Sequence, residues 1–220
     1  MLCDAEGVKA LGDAQVKDEA IEFASLMCSR LCHDLLSPVG ALNNGLELLA
    51  DEDDPALRKE YLSLLADGAR ASAEKLKFFR LAFGAAGGFG DRIDAGEVRA
   101  SLDSLAGMSG KVAFGWVADC TTLDRSATRI VLNLGLIALD ALVRGGRLDV
   151  GLEGGEIVVR AEGARLVLDG EVRRVLAGEA LPTTSRTIGA VLASTVAERD
   201  GRTLLLQEED GVLLLGASRV

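Results

Sequence analysis

The sequence predicts an α+β fold, in which an N-terminal antiparallel helical hairpin precedes a two-layer α/β sandwich. Three observations lead to this prediction. Apolar residues recur at steps of three and four between residues 17 and 83, which is the period of an α-helix. A glycine-rich stretch at residues 84–90 marks a domain boundary. Beyond it, short apolar runs typical of strands alternate with helical patterns.

The hairpin is predicted from two long periodic segments and the short loop between them. The first helix is expected from about Lys17 to Ala50. Acidic residues then lead to Pro55, which takes the first position of the second helix, with Asp54 as its N-cap. The second helix extends to about Phe83. Because the loop is so short, the two helices must be antiparallel neighbours.

A single hairpin of this kind cannot enclose its own apolar surface. Several large side chains lie outside the narrowest seam between the helices, among them Leu48, Tyr61, Leu64 and Phe78. A second copy related by a two-fold axis would cover them as a dimeric four-helix bundle, so the hairpin predicts a homodimer. The alternative is that the second half of the chain covers this surface.

The second domain is predicted as a mostly antiparallel sheet with helices on one face. Gly154-Gly155 has the form of a two-residue hairpin turn. The strands are predicted at Lys111–Ala118, Arg147–Leu152, Glu156–Ala161, Arg165–Leu168, Thr203–Glu208 and Val212–Ala217. The helices are predicted at Ala95–Ala106, Asp124–Val143, Glu171–Ala177 and Thr187–Arg199. The chain therefore divides into an N-terminal segment (1–16), a hairpin domain (17–84) and a sandwich domain (91–220).

Composition excludes several classes of partner. The formal net charge of −10 argues against binding to nucleic acid or an anionic membrane, since both need clustered Lys and Arg. No apolar run reaches the roughly 18 residues of a membrane span, and no signal peptide is evident, so the chain is expected in the cytoplasm. One histidine and four cysteines do not supply a good zinc site, and Cys28 and Cys32 are interpreted as small packing residues.

The candidate site is His33, the only histidine of the chain. It lies about 200° from Leu31 and Leu35 of the buried stripe, so its ring faces outward from the first helix. Taken alone, a surface histidine has no role. Two neighbours change that interpretation. Asp34 brings a carboxylate close, and Pro38 places in the helix interior a residue that costs about 3 kcal/mol relative to alanine.

The segment His33-Asp34-Leu35-Leu36-Ser37-Pro38 resembles the phospho-accepting box of sensor histidine kinases, whose dimerisation helix carries His-Glu/Asp-Leu-x-x-Pro. The second domain resembles the ATP-binding domain of the same kinases. There, Leu132-Asn133-Leu134-Gly135-Leu136-Ile137-Ala138 matches the pattern Leu-Asn-Leu-x-x-Asn-Ala, but Ile137 replaces the asparagine that reaches magnesium. An isoleucine offers no lone pair to a hard cation.

Two further nucleotide-binding motifs of that domain are altered. Ala161-Glu162-Gly163-Ala164-Arg165 stands in place of Asp-x-Gly-x-Gly, and the glycine motif before the last helix is reduced to Thr187-Ile188-Gly189. The pattern predicts that the fold is kept and that ATP binding is lost. With the acceptor histidine present, residues 17–220 resemble the histidine phosphotransferases of the ChpT type.

This resemblance implies a phosphorelay through a homodimer. In that family the histidine takes a phosphoryl group from the receiver aspartate of a hybrid histidine kinase. It then passes the group to receiver aspartates of response regulators of the CtrA and CpdR types, which control the cell cycle. Because the receiver domain supplies Mg²⁺, no cofactor or metal is expected on this chain, and neither nucleic acid nor membrane is an expected partner.

The resemblance also implies roles for single residues. His33 is the expected nucleophile. Asp34 either orients the imidazole and its tautomer or is a solvated surface acid. Ser37 either hydrogen-bonds near the transferred phosphoryl group or is simply small enough to let the receiver approach. The residues expected to contact the receiver lie on the outer face of the first helix: Arg30, Leu36, Gly40, Asn43, Asn44 and Glu47.

Three other functions stay open on the sequence alone. The first is a histidine kinase or ATPase with an unusual nucleotide site, against which Ile137 argues. The second is a non-catalytic dimeric scaffold in which His33 is incidental. The third is a phosphatase for a receiver domain, which would release inorganic phosphate.

Overall fold

The structure is a computed structural model that describes residues 5–84 and 91–219. Two long helices come first, α1 (Ala5–Ala50) and α2 (Pro55–Phe83). They pack against each other as an antiparallel hairpin, as the sequence predicts. None of the described helices is long and apolar enough to cross a membrane.

The first helix begins at Ala5, earlier than the predicted Lys17, so most of the segment predicted as separate from the hairpin is helical. Gly7 and Gly12 argued for a separate segment, since each disfavours a helix by about 1 kcal/mol relative to alanine. Extending an existing helix, however, gains one hydrogen bond per residue without a new nucleation step. Residues 1–4 lie outside the described part of the chain.

The second helix has its predicted bounds, and its first turn is capped as expected. Oδ1 of Asp54 accepts a hydrogen bond from the N–H of Ala56 at 2.8 Å, and the proline takes the first helical position. Gly84 follows α2 as its C-cap. The rest of the predicted glycine linker, residues 85–90, lies outside the described residues.

The two helices approach closely where a glycine faces a leucine. A Cβ atom at Gly45 would lie 2.9 Å from Leu65, and one at Gly68 would lie 3.2 Å from Leu42. Larger side chains at these two positions would push the helices apart. The glycines therefore set the short distance between α1 and α2.

The second domain is built from short strands and helices in the order that the sequence predicts. Its elements are β1 (Arg92–Asp94), α3 (Ala95–Met108), β2 (Val112–Ala118), β3 (Thr122–Asp124), α4 (Arg125–Ala141), β4 (Gly146–Glu153), β5 (Glu156–Glu162), α5 (Gly170–Leu176), α6 (Ile188–Arg199), β6 (Arg202–Glu209) and β7 (Val212–Arg219). A five-stranded sheet has the spatial order β2-β4-β5-β7-β6. β2 and β4 run parallel, and the other neighbours run antiparallel.

This sheet is covered on one face. Alternate residues of its central strands are buried against the helices, as shown by Leu148, Val159 and Leu215, each 0% exposed. The residues between them face the open side, where Val117 is 71% exposed. Such alternation is what the two-residue period of a strand produces when one face is packed. The predicted hairpin followed by a two-layer α/β sandwich is therefore the observed architecture.

Two local predictions differ from the structure. Arg165–Leu168 was predicted as a strand, but it joins neither of the described sheets. Instead, the N–H of Val167 donates to the carbonyl of Ala141 at the end of α4 at 2.9 Å. The prediction was wrong because an apolar pattern indicates extended chain without specifying its partner. β1 and β3, which pair with each other, were missed because three residues are too few to show a period.

The apolar core joins the two domains. Phe78 and Phe79 near the end of α2 are 0% and 5% exposed, and they share one cluster of buried residues with α4. Phe78 was expected to need a second copy of the chain to cover it. That expectation was wrong, because the second domain covers it. Farther along the hairpin, Val39, Leu46 and Leu62 are still 50%, 57% and 55% exposed.

Asp54→Ala should weaken the hairpin, because it removes the carboxylate that caps the N–H of Ala56. We expect the free energy of unfolding, measured by urea denaturation, to fall by about 1 kcal/mol. Asp53→Ala in the same loop is the matched control, and its effect should stay within about 0.5 kcal/mol. Equal losses in the two variants would contradict the assignment of the cap.

Candidate functional site

The imidazole of His33 is the most open part of the site. Its side chain is 83% exposed, on the outer face of α1. Leu36 on the same face is 69% exposed, and Ser37 is also exposed. A Cβ atom at Gly40 would have no other atom within 4 Å. A partner domain therefore has free access to the ring from this side.

One ring nitrogen is held from within the chain. Nδ1 of His33 lies 3.1 Å from Oδ1 of Asp34. An ionised carboxylate can only accept hydrogen bonds, so Nδ1 carries the proton in this pair and Nε2 keeps its lone pair. The Asp34 side chain is only 15% exposed. This geometry fits a carboxylate that orients the ring better than it fits a solvated surface acid.

The other oxygen of Asp34 is held by Arg30. Nε of Arg30 donates to Oδ2 of Asp34 at 2.7 Å, and its Nη2 donates to Oδ2 of Asp140, on α4, at 2.8 Å. The Arg30 side chain is 19% exposed. Arg30 was predicted to meet a receiver on the outer face, but its guanidinium turns toward the second domain. Helical periodicity gives the direction of a Cβ atom, whereas the end of a long side chain follows the nearest carboxylates.

The charges at this junction influence one another. Burial disfavours the charge on Arg30, but Asp140 and Asp34 outweigh that effect and raise the pKa of the guanidinium. Loss of hydration raises the pKa of the Asp140 carboxyl, and Arg30 opposes the rise. The Asp140 side chain is still 55% exposed and bonded to a guanidinium, and both features favour its ionised form.

A lysine compensates for the proline in α1. Pro38 has no N–H, so the carbonyl of Asp34, four residues earlier, lacks its usual helical donor. Nζ of Lys75 on α2 donates to that carbonyl oxygen at 2.8 Å. The bond also places a positive charge next to the residue that holds the histidine. Sequence reasoning missed Lys75, although the carbonyl freed by the proline was a signal that some donor had to be found.

The remaining residues predicted to contact a partner lie farther along α1. Nδ2 of Asn43 donates to Oε1 of Glu47 at 2.8 Å. Both residues are exposed, as is Asn44. They continue the open face beyond Gly40, away from the second domain. The structure thus brings all the predicted contact residues except Arg30 to one side of the helix.

Cys28 and Cys32 were predicted as packing residues, but the structure places both at the surface. Cys28 and Cys32 are both exposed with free thiols, so they do not pack inside the single chain. Within the described residues, no group of three or more His, Cys, Asp or Glu side chains is arranged to hold a metal ion.

A cavity of about 180 Å³ beside α4 is lined by both apolar and charged groups. Its apolar lining includes Phe83, Leu136 and Ile137, and its charged side chains are Arg30, Asp140, Asp169 and Arg186. Asn133, which matches the kinase-like pattern, is fully buried. Its Nδ2 donates to the carbonyl of Arg129 at 2.8 Å.

Comparison with known proteins agrees with this geometry. A family model described as "Histidine phosphotransferase C-terminal domain" matches residues 95–211. The chain belongs to this family. The matched residues extend from α3 to the turn before β7, so they cover most of the second domain.

Two known members of the phosphotransferase group resemble a larger part of the chain. Protein phosphotransferase ChpT from Brucella abortus (strain 2308) is 42% identical over 137 residues. That match covers 60% of this chain and 62% of the relative, which is less than two thirds of the relative's length. The solved 1.7 Å structure of a bacterial phosphotransferase is 30% identical, with a TM-score of 0.80. It covers 90% of this chain and 97% of that chain.

These findings confirm two predictions from the sequence. The resemblance to ChpT-type phosphotransferases is confirmed, since both the family model and the curated relative agree with it. The fold class is confirmed as well, because the structural match extends over the hairpin and the sandwich together.

Lys75→Met should destabilise the hairpin, because it leaves the Asp34 carbonyl without a donor. We expect a loss of about 1–2 kcal/mol in the free energy of unfolding. In a Pro38→Ala background the loss should shrink by about 1 kcal/mol, since the restored N–H at position 38 can bond to the same carbonyl.

Lys75→Met and Pro38→Ala together form a double-mutant cycle, and its matched control is Lys77→Met. Lys77 is 62% exposed and pairs with Glu74 on the surface of the same helix, so its removal should change stability by less than about 0.5 kcal/mol in either background. If Lys75→Met had the same effect with and without Pro38, the proposed compensation would be wrong.

Proposed function

We propose that this protein is a histidine phosphotransferase that carries phosphoryl groups between receiver domains. The observation that carries the proposal is the state of the His33 ring. One of its nitrogens is held by a carboxylate while the side chain is 83% exposed. A nucleophile that must meet an aspartyl phosphate on another protein needs this combination of fixed orientation and open access.

The chemistry of the first transfer follows from the two nitrogens. The lone pair on Nε2 of His33 attacks the phosphorus of the aspartyl phosphate, an N–P bond forms, and the P–O bond to the receiver aspartate breaks. The aspartate leaves as a carboxylate. The ring becomes a phosphoimidazolium whose proton stays on Nδ1, where Asp34 balances its charge.

The second transfer reverses these bonds on another receiver. The carboxylate of its aspartate attacks the phosphorus, and the N–P bond breaks to return a neutral ring. No proton has to enter or leave His33 in either step, because Nδ1 keeps its own throughout. The same site can therefore accept and donate, which is what a phosphocarrier needs.

The receiver is expected to dock on the outer face of α1. Leu36 is the main apolar contact we infer, because a leucine that is 69% exposed beside the nucleophile is available to a partner. Ser37 and Gly40 are small and allow close approach of the receiver. Asn43, Asn44 and Glu47 would form a polar rim, which suits a small interface that must separate quickly.

The partners we propose come from the family resemblance. The donor would be the receiver domain of a hybrid histidine kinase, and the acceptors would be response regulators of the CtrA and CpdR types in cell-cycle control. These reactions would take place in the cytoplasm. We expect the receiver to supply Mg²⁺ for both transfers, with no cofactor on this chain.

We further infer that the working unit is a homodimer in which two hairpins form a four-helix bundle. The exposed apolar side chains Val39 and Leu46 lie on one side of α1, away from both His33 and the second domain. Leu62 and Leu76 continue this surface on α2 and are 55% and 50% exposed. A second copy would bury all four side chains. The hairpin is then the dimerisation and phosphotransfer domain, and the second domain is a kinase-like domain without ATP binding.

The central test uses a receiver domain of a hybrid kinase that carries a radiolabelled phosphoryl group. Wild-type protein should take up a label that is lost in acid and stable in alkali, as expected for a phosphoramidate. His33→Gln should take up none. Leu36→Asp should still be labelled, but about tenfold less efficiently at limiting receiver, because it weakens docking without removing the nucleophile.

The alternatives give different results in the same assay. A non-catalytic scaffold would leave the phosphate on the receiver, while Leu36→Asp would still weaken binding. A receiver phosphatase would release inorganic phosphate without a labelled intermediate. Labelling from ATP alone would indicate a kinase.

The dimer has its own test by sedimentation equilibrium. Wild-type protein should have twice the mass of the 23.0 kDa chain, and Leu46→Asp should shift the equilibrium toward single chains by placing a charge in the apolar interface. Leu36→Asp is the matched control and should stay dimeric, since that leucine lies on the docking face. A monomeric wild type would contradict the inference.

A further inference from the structure

The hydrogen bond that orients His33 depends on how Arg30 uses its guanidinium. The Nε–H and one Nη2–H of an arginine lie on the same edge and can grip both oxygens of one carboxylate as a side-on fork. Here only Nε bonds to Asp34, at 2.7 Å. If the fork closed on Asp34, its Nη2 would compete with His33 for Oδ1.

Asp140 binds this same Nη2 group. Its Oδ2 accepts the Nη2–H of Arg30 at 2.8 Å, so the guanidinium is shared between two carboxylates. Oδ1 of Asp34 is thereby left for the Nδ1–H of His33. Asp140 lies in the last turn of α4, where the nearby Ala138 and Ala141 are 0% and 1% exposed and so belong to the buried core. The acceptor for Nη2 is thus fixed to a rigid element of the second domain.

The nearby charges are consistent with a guanidinium of Arg30 that is shared between Asp34 and Asp140. Lys75 bonds to the backbone carbonyl of Asp34, whereas Arg30 and His33 contact its carboxylate oxygens. The junction then has two cations, Arg30 and Lys75, facing two carboxylates, Asp34 and Asp140. Loss of Asp140 would leave Arg30 with a single carboxylate partner, and the closed fork is the favoured geometry for such a pair.

We propose that Asp140 is a positioning residue for His33: by holding Nη2 of Arg30, it leaves Asp34 free to fix the imidazole with its proton on Nδ1 and its lone pair on Nε2. The second domain thereby controls the reactivity of a histidine on the hairpin. The inference rests on the proposed phosphotransfer for its consequence, but its structural part concerns the tautomer of the ring alone.

The test measures the tautomer directly. The chain has one histidine, so the ¹⁵N signals of its imidazole can be assigned without ambiguity. In wild-type protein with a neutral ring, these shifts should show mainly the Nδ1–H tautomer. Asp140→Ala should move the population toward Nε2–H, and it should slow labelling from a phospho-receiver about tenfold or more. Asp140→Asn keeps an acceptor oxygen for Nη2 and should restore most of both properties.

Two further variants separate positioning from a general structural effect. Asp149→Ala removes the partner of Arg147, a 2.7 Å ion pair on the open face of the sheet, and should change neither tautomer nor rate. In an Arg30→Met background there is no fork to close, so Asp140→Ala should no longer change the tautomer. This readout is insensitive to a loss of packing elsewhere in the fold.

The outcomes are distinguishable. An unchanged tautomer in Asp140→Ala would overturn the inference, even if labelling slowed. A changed tautomer in both the wild-type and the Arg30→Met backgrounds would also overturn it, because the effect would not pass through the guanidinium. If wild-type protein is never labelled, the proposed function fails, while the tautomer shifts still decide the role of Asp140.

Discussion

Burial of the last two turns of α2 fixes the hairpin on the second domain. Phe78 and Phe79 are almost completely buried in the same core as α4, and burying a phenylalanine side chain contributes about 1.5–3 kcal/mol. Asn133 adds a polar contact, since its amide also donates to the carbonyl of Ala82 at 3.4 Å. Because α1 packs along α2, this anchoring also holds α1 in place, and Arg30 comes within bonding distance of α4.

Once α1 is held, its sides face different neighbours. Leu42 points toward α2, Arg30 reaches the second domain, and His33 faces outward with 83% of its side chain exposed. The exposed apolar side chain of Leu46 lies next to Leu42 on the helix surface and about 140° around the axis from His33, because successive residues turn by about 100°. The histidine side is therefore open while Arg30 stays bonded to the second domain.

The sequence predicts the framework of this arrangement because its signals are local. The period of the apolar residues, the Asp54 cap and the glycine turns each act over a few positions, and all three agree with the structure. The outward direction of His33 follows from the same period. Contacts between residues far apart in the chain have no local sequence pattern that would predict them. Arg30 and Asp140 are separated by 110 positions, so the end of the arginine side chain could not be placed from helical geometry.

Because sequence periodicity cannot identify distant contacts, the prediction that a second copy of the chain covers Phe78 was wrong. Periodicity places Phe78 outside the seam between α1 and α2, but it cannot say which surface covers it, and the second domain does. Lys75 is an intermediate case. The proline predicts an unpaired carbonyl at Asp34, and the antiparallel hairpin limits the donor to a few residues of α2, yet the choice among them needs coordinates.

A second domain without the metal-facing asparagine still has a physical reason to keep its fold. α4 supplies the apolar surface that buries the end of α2, and it carries the carboxylate that pairs with Arg30. Ile137, which the sequence pattern aligns with that asparagine, is 9% exposed and lines a cavity together with Leu136 and Ala141. An apolar side chain is favourable at this buried position in the cavity lining, because a buried amide would need hydrogen-bond partners there. The packing role of α4 therefore does not depend on a bound nucleotide.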